Sequence, residues 1–424
     1  MPGIKLPLFF TGIALIAAGL ANACNPNPAD FFDQGRTSLT LELPENIESY
    51  SAEDCRACHP EDYEDWNDSM HARAFVDPIF QSAFRKEPAI WCVNCHAPLS
   101  QQAFTQTSGP YVVLEAEALE ANDMQLNSAS RRIQLRNEGI NCAACHVRNG
   151  KILSSRPEYG PLEDMTPDGT VAVSKEGPAP HPTVYEPRLS TAEFCAGCHQ
   201  FNFPFDDPAA IVHYGDEPMQ NVYAEWSQHA GLKGISCQAC HMSRDHHRLY
   251  GPHSPGWLSD RIQMHARMVE TALGNVVVQC HLVIHGIGHN FPTGDLFRRV
   301  RIQIVINDQV LVERSFGRRI LDRRHADAPG GFYKYVSEDT SLTPNEDLKI
   351  DHEFQLILPR IPTLQQRQNL SYRVLYEYQN ASAAHAIGCN DKNATNCLHA
   401  EDMFILIASG PVAMPRIIDP RSHE

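Results

Sequence analysis

From about residue 275 onward, apolar residues recur at every second position. Val300, Ile302, Ile304 and Ile306 alternate with Arg301, Gln303 and Val305. Phe354, Leu356 and Leu358 repeat the pattern, as do Leu370, Tyr372, Val374, Tyr376 and Tyr378. Further strand-like runs are Val276 to Ile284, Val310 to Phe316 and Phe404 to Ala408, separated by Pro, Gly, Asn and Asp clusters. A period of two with turn residues between runs predicts an all-β, sandwich-like domain over residues 265–424. Before it the alternation is missing. Tyr63, Trp66, Met70 and Ala74 fall at helical spacing and predict a short helix. Residues 51–264 are therefore expected to be α plus irregular, with little sheet.

The first residues read differently again. Lys5 precedes an apolar run from Leu6 to Leu20, and Ala21-Asn22-Ala23 is a small-x-small cleavage site. Residues 1–23 read as a signal peptide rather than an anchor helix, because the run is short for a span. Residues 24–50 follow as a linker. Cleavage would leave Cys24 first, ahead of Asn25-Pro26-Asn27-Pro28, which resembles a bacterial lipoprotein start and makes Cys24 a candidate lipid anchor. The expected location is outside the cytoplasm: periplasm, or outer membrane and cell surface as a lipoprotein.

The chain has 424 residues, enough for two domains, and 42 % hydrophobic residues permit a packed core. Its formal net charge of -16 argues against a nucleic-acid partner. Fourteen cysteines in an exported chain would ordinarily mean disulfides. Ten of them, however, sit in five C-x-x-C-H units: Cys55-Cys58-His59, Cys92-Cys95-His96, Cys142-Cys145-His146, Cys195-Cys198-His199 and Cys237-Cys240-His241. Two thiols three residues apart reach the two vinyl groups of one haem, and the next residue places an imidazole under the iron. Zinc needs a second pair to complete a tetrahedron, and thioredoxin-like motifs do not recur five times. Five haem c groups are the expected cofactors, with His59, His96, His146, His199 and His241 as proximal ligands. Of the remaining cysteines, Cys389 and Cys397 flank a polar loop and could form a disulfide, leaving Cys280 unpaired in a core strand.

Five motifs between 55 and 241 leave few residues to each haem, so the polypeptide should wrap the porphyrins, which then supply most of the apolar interior. The sixth ligand decides what such irons do. Two imidazoles saturate the iron for electron transfer, whereas an open site can bind a small molecule. Sixteen further histidines are available. The distal candidates are His71, beside the helix after the first motif, His229 in a similar Trp-led segment, and His181 between two prolines. His247 or His253 after the fifth motif, and His289 on a Gly/Pro turn, complete the set. His281, His285 and His289 would share a helix face, but the flanking valines and glycines favour strand and turn over a zinc site. Arg298, Arg299, Arg301, Arg318, Arg319, Arg323 and Arg324 read as a solvated face, as partners for haem propionates, or as a docking patch for an acidic partner.

Several segments in order resemble exported bacterial multihaem cytochromes c related to the tetrahaem cytochrome that serves hydroxylamine oxidation. They are C-R-A-C-H with W-x-x-S-x-H (Cys55 to His71), E-G-I-N-C-A-A-C-H (Glu138 to His146) and F-C-A-G-C-H-Q (Phe194 to Gln200). P-M-Q-N-V-Y-A-E-W (Pro218 to Trp226), C-Q-A-C-H-M (Cys237 to Met242) and G-H-N-F-P-T-G-D-L-F-R-R (Gly288 to Arg299) follow. The resemblance implies axial roles for His71 and His289. The Trp226–His229 segment departs from that spacing. The expected function is electron transfer between redox donors and acceptors of the cell envelope, with no catalytic residue, since every motif ends in His. The alternatives are an oxidoreductase with one open haem acting on a small nitrogen or sulfur compound, and a subunit of a polymeric extracellular conduit with haem–haem contact between copies.

Overall fold

The computed structural model describes residue 39 and residues 41–104, 107–108, 111–112, 123–156, 181, 183–206, 212–242, 247–270, 276–324, 332–359, 362–379 and 403–414. The leader, Cys24, His246, Cys389 and Cys397 lie outside the described residues.

Each C-x-x-C-H unit forms a helical turn. The first lies on α1 (Ala52–Arg56) and the turn after it, the second on α4 (Ile90–His96), the third on α6 (Cys142–His146), the fourth on α7 (Ala192–His199) and the fifth on α9 (Cys237–His241). Three have polar N-caps: Ser51 accepts from the Glu53 amide, Asn141 from Ala144 and Ser236 from Ala239. Between them run α2 (Pro60–Asn67), α3 (Pro78–Lys86), α5 (Asp123–Asn137) and α8 (Val222–Ser227). The helix expected through Ala74 stops at Asn67, and His71 lies in the turns beyond it.

This part contains more sheet than its sequence pattern suggests. β1 (Thr107–Ser108) pairs with β2 (Tyr111–Val112). β3 (Val147–Arg148), β4 (Lys151–Ser154) and β5 (Thr183–Tyr185) form a three-stranded sheet, and β6 (Gln200–Asp206) pairs with β7 (Val212–Asn221). The reason is local. β3 starts on the residue after His146 and β6 on the residue after His199, so two motif helices run directly into strands; β3 has two residues, too few for a periodic signal, whereas β6 has seven, with Phe201, Phe203 and Phe205 at alternate positions. The apolar clusters here are small and separate. Phe75, Phe84, Val93 and Ala97 form one, and Ala52, Trp66 and Ala72 another.

The C-terminal region is β-rich, and its described strands form no closed barrel. Its strands are β8 (Ile262–Glu270), β9 (Val276–His285), β10 (Arg299–Ile306), β11 (Gln309–Arg324), β12 (Phe332–Asp339), β13 (Lys349–Ile357), β14 (Leu370–Glu377) and β15 (Phe404–Pro411). They form two antiparallel sheets, ordered β12-β11-β10-β14-β15 and β13-β9-β8. Both contribute to one continuous core that includes Val278, Leu282, Ile284, Val300, Ile302, Ile304, Val374 and Tyr376. Backbone bonds from Met268 to Ala413 and from Ala413 to Ala266 join the sheets along one edge. Cys280 is a free thiol buried in β9. Arg318 does not belong to a solvated face: it is 8 % exposed and donates to the carbonyls of Pro218, Met219 and Gly294.

Candidate cofactor centre

The motifs are drawn together by a few buried contacts. Glu138 accepts from the Ser51 hydroxyl at 2.6 Å and the Ala52 amide at 2.9 Å, and its neighbour Asn141 donates to it at 2.8 Å. One carboxylate thus ties the start of the first motif to that of the third. Trp66 Nε1 donates to the Ile140 carbonyl at 2.8 Å, and the Ile140 amide donates to the His71 carbonyl at 2.9 Å. The sulfurs of Cys55 and Cys142, Cys195 and Cys237, and Cys95 and Cys198 are close neighbours, so each motif abuts at least one other.

A second copy of this arrangement stands near the fifth motif. Trp226 Nε1 donates to the Ile235 carbonyl at 2.7 Å, and the Ile235 amide donates to the Ala230 carbonyl at 3.1 Å. Gly139-Ile140-Asn141-Cys142 and Gly234-Ile235-Ser236-Cys237 therefore play the same part, each glycine with positive φ. In this correspondence Ala230, not His229, occupies the place of His71.

All fifteen cysteine and histidine positions of the motifs line one continuous cavity of about 2610 Å³. Divided among five motifs, that is about 520 Å³ each, within the roughly 300–1,000 Å³ of ordinary cofactor pockets. Among the described residues five further histidines line it: His71, His181, His247, His253 and His289. His229 does not, and instead begins the turn Ala230–Lys233.

Three of these five face a motif histidine. Ring centroids are 6.2 Å apart for His71 and His199, 6.0 Å for His247 and His146, and 6.3 Å for His289 and His241. Two imidazoles on opposite sides of one metal, with about 2 Å from metal to nitrogen, place their ring centres about 6 Å apart. His181 lies close enough to His59 for charge on one to disfavour charge on the other. His253 differs. Its ring stacks on Tyr378 at 4.0 Å, and its Nε2 is 3.4 Å from Arg298 Nη1. His265 and His281 are also 6.4 Å apart, but on β8 and β9 with neither ring in the cavity lining. Among the described residues no cluster of three or more His, Cys, Asp or Glu could hold a bare metal ion.

Ring orientation is set from behind. The Nδ1 atoms of His96, His146, His241 and His289 bond the carbonyls of Ala74, Leu153, Tyr250 and Asn290 at 2.6, 2.8, 2.5 and 2.8 Å. With Nδ1–H donating to a carbonyl, Nε2 is the free lone pair, as in most metal-binding imidazoles. Burial favours the neutral ring. It pushes His71 down to about 3 and His199 and His289 to about 4, helped by neighbouring imidazoles. His96, His146 and His241 are also lowered, mainly by burial. Neutral imidazole is the form that ligates iron. The donor set, its spacing and the predominantly apolar cavity fit haem.

Residues 83–254 match the model for MtrC/MtrF-like outer membrane cytochromes, domains II/IV, and residues 54–111 match that for cytochrome c554 and c-prime. No curated protein matches the chain. The two matches support a multihaem c-type cytochrome that transfers electrons, a class whose haem is bound covalently. No helix among the described residues is long and apolar enough to cross a membrane.

Proposed function

We propose that this chain is a pentahaem c-type cytochrome that relays electrons between redox partners in the cell envelope. The observation that carries the reading is the composition of the cavity wall: five motif histidines and five others. Bound haem supplies one-electron exchange at iron, and the chain's residues attach it, saturate it and keep it dry. Each motif supplies two thiols and a proximal imidazole. His181, His71, His247 and His289 serve opposite His59, His199, His146 and His241, and among the described histidines of the cavity wall His253 remains for His96. Residues 51–264 carry the haems and residues 265–424 form the β domain, which lends His289. The leader directs export, with Cys24 as the candidate lipid anchor. Likeness of residues 83–254 to an outer membrane cytochrome model supports an envelope location. Mass spectrometry of the processed protein should show five haem additions. Oxidised-state EPR should show only low-spin signals, and a high-spin signal would defeat full saturation.

One observation favours a second reading, in which the haem of the Cys92–His96 motif has an open face. His253 Nε2 is engaged by Arg298 instead of facing His96. Carbon monoxide binding to the native reduced protein, undiminished in a His253→Ala variant, would support an enzyme with that haem as its site. No binding to the native protein supports the relay.

A further inference from the structure

We infer that Glu225, acting with Thr293 and Arg318, is a positioning residue that latches His289 over the fifth motif. The inference rests on His289 being a haem ligand, as proposed above. Glu225 lies on α8, in the haem-bearing part, and is only 6 % exposed. Its carboxylate accepts from the Thr293 hydroxyl at 2.5 Å and from the Asn290 amide. The Asn290 carbonyl in turn accepts from His289 Nδ1 at 2.8 Å. A single residue, Asn290, therefore joins the buried acid to the imidazole. Arg318 closes the other end of the loop from β11, donating to the Gly294 carbonyl at 2.6 Å and to Met219 at 2.9 Å. Acid and base come from opposite sides of the boundary and hold one six-residue loop between them.

A buried carboxylate is costly unless it is hydrogen-bonded. Here both of its neutral donors belong to the loop that carries His289, so the packing cost is offset only when the loop is seated. The loop also needs help from behind: Gly288 packs against Ala230, which has no imidazole of its own to offer. The resulting pair, His241 and His289, has ring planes only 12° apart. Ring-plane geometry is what the g values of a low-spin haem report. A residue that fixes the His289 ring is thus readable without any assay of turnover.

The test uses the full holoprotein. His289→Met identifies which EPR signal and midpoint potential belong to this haem. Glu225→Ala and the near-isosteric Thr293→Val should shift that same signal, and Thr293→Ser should restore it. Cyanide should displace His289 at about 10–100-fold lower concentration in Thr293→Val, the usual scale for loss of an outer partner of a metal ligand. If His289→Met changes no signal, the ligand assignment fails. If His289→Met changes one but Thr293→Val leaves it and the cyanide titration unmoved, the latch fails while the ligand stands. Should Glu225→Ala not fold, the Thr293 pair decides alone.

Discussion

Gly139 occupies a point where no side chain fits. Its φ is +60°, and a Cβ there would come within 2.5 Å of the His71 carbonyl. Gly139→Ala should therefore destabilise the protein by about 1–3 kcal/mol and displace His71. A urea melt together with the EPR signal assigned through His71→Met checks both effects; an unchanged signal would mean that the carbonyl contact does not hold the ring. The latter variant should itself shift one haem's potential. At this scale the motif residues were legible in the sequence because covalent attachment dictates their spacing. The distal partners were less so. His71 follows Trp66 by five residues, but His229 follows Trp226 by only three; it lies outside the cavity wall, and Ala230 stands in its place. Pairing of rings far apart in sequence, such as His146 with His247, leaves no local signal at all.

Among the elements, β10 is the centre of the larger sheet, bonded to β11 on one side and β14 on the other. Ile302 on it is fully buried. Ile302→Ala should cost about 2–5 kcal/mol, measured by urea unfolding, while the signals of haems ligated only from the first part remain in place. Loss of all five together would indicate that the two parts unfold as one. The alternation that revealed β10, β13 and β14 arises because one face of each meets the shared core, whereas β9 showed as a near-continuous apolar run. β8 carries the same code, with Ile262, Met264, Ala266 and Met268 buried in turn, but it starts ahead of the long apolar runs and straddles the boundary between the two parts. β12 was missed because it belongs to a long hairpin that reaches over β6 and β7 and follows their contacts more than the core's. The two-residue strand after His146 is fixed by tertiary pairing, which so short a run cannot advertise, whereas the seven-residue strand after His199 alternates Phe201, Phe203 and Phe205, a signal weakened by Pro204 within it.

For the whole molecule, charge is the property that bears on partners. The chain carries -16 before haem propionates are counted. Electron exchange with a small cationic redox protein should therefore slow as ionic strength rises, since screening shortens the reach of charge from about 30 Å at 0.01 M to about 8 Å at 0.15 M. Stopped-flow rates across that range test this, and a rate that rises with salt would mean that a local basic patch governs encounter instead.

The uneven distribution of apolar packing bears on how the protein is made. The C-terminal sheets close around one continuous core, whereas the described residues of the first part form scattered clusters around a large cavity. If the first part holds haem as proposed, the porphyrins would supply much of its apolar packing. A molecule that misses one haem would carry a finished tail on an unfinished front, and the exposed front is what an envelope protease would remove. Maturation and quality control then become the same event, with cofactor loading as the checkpoint.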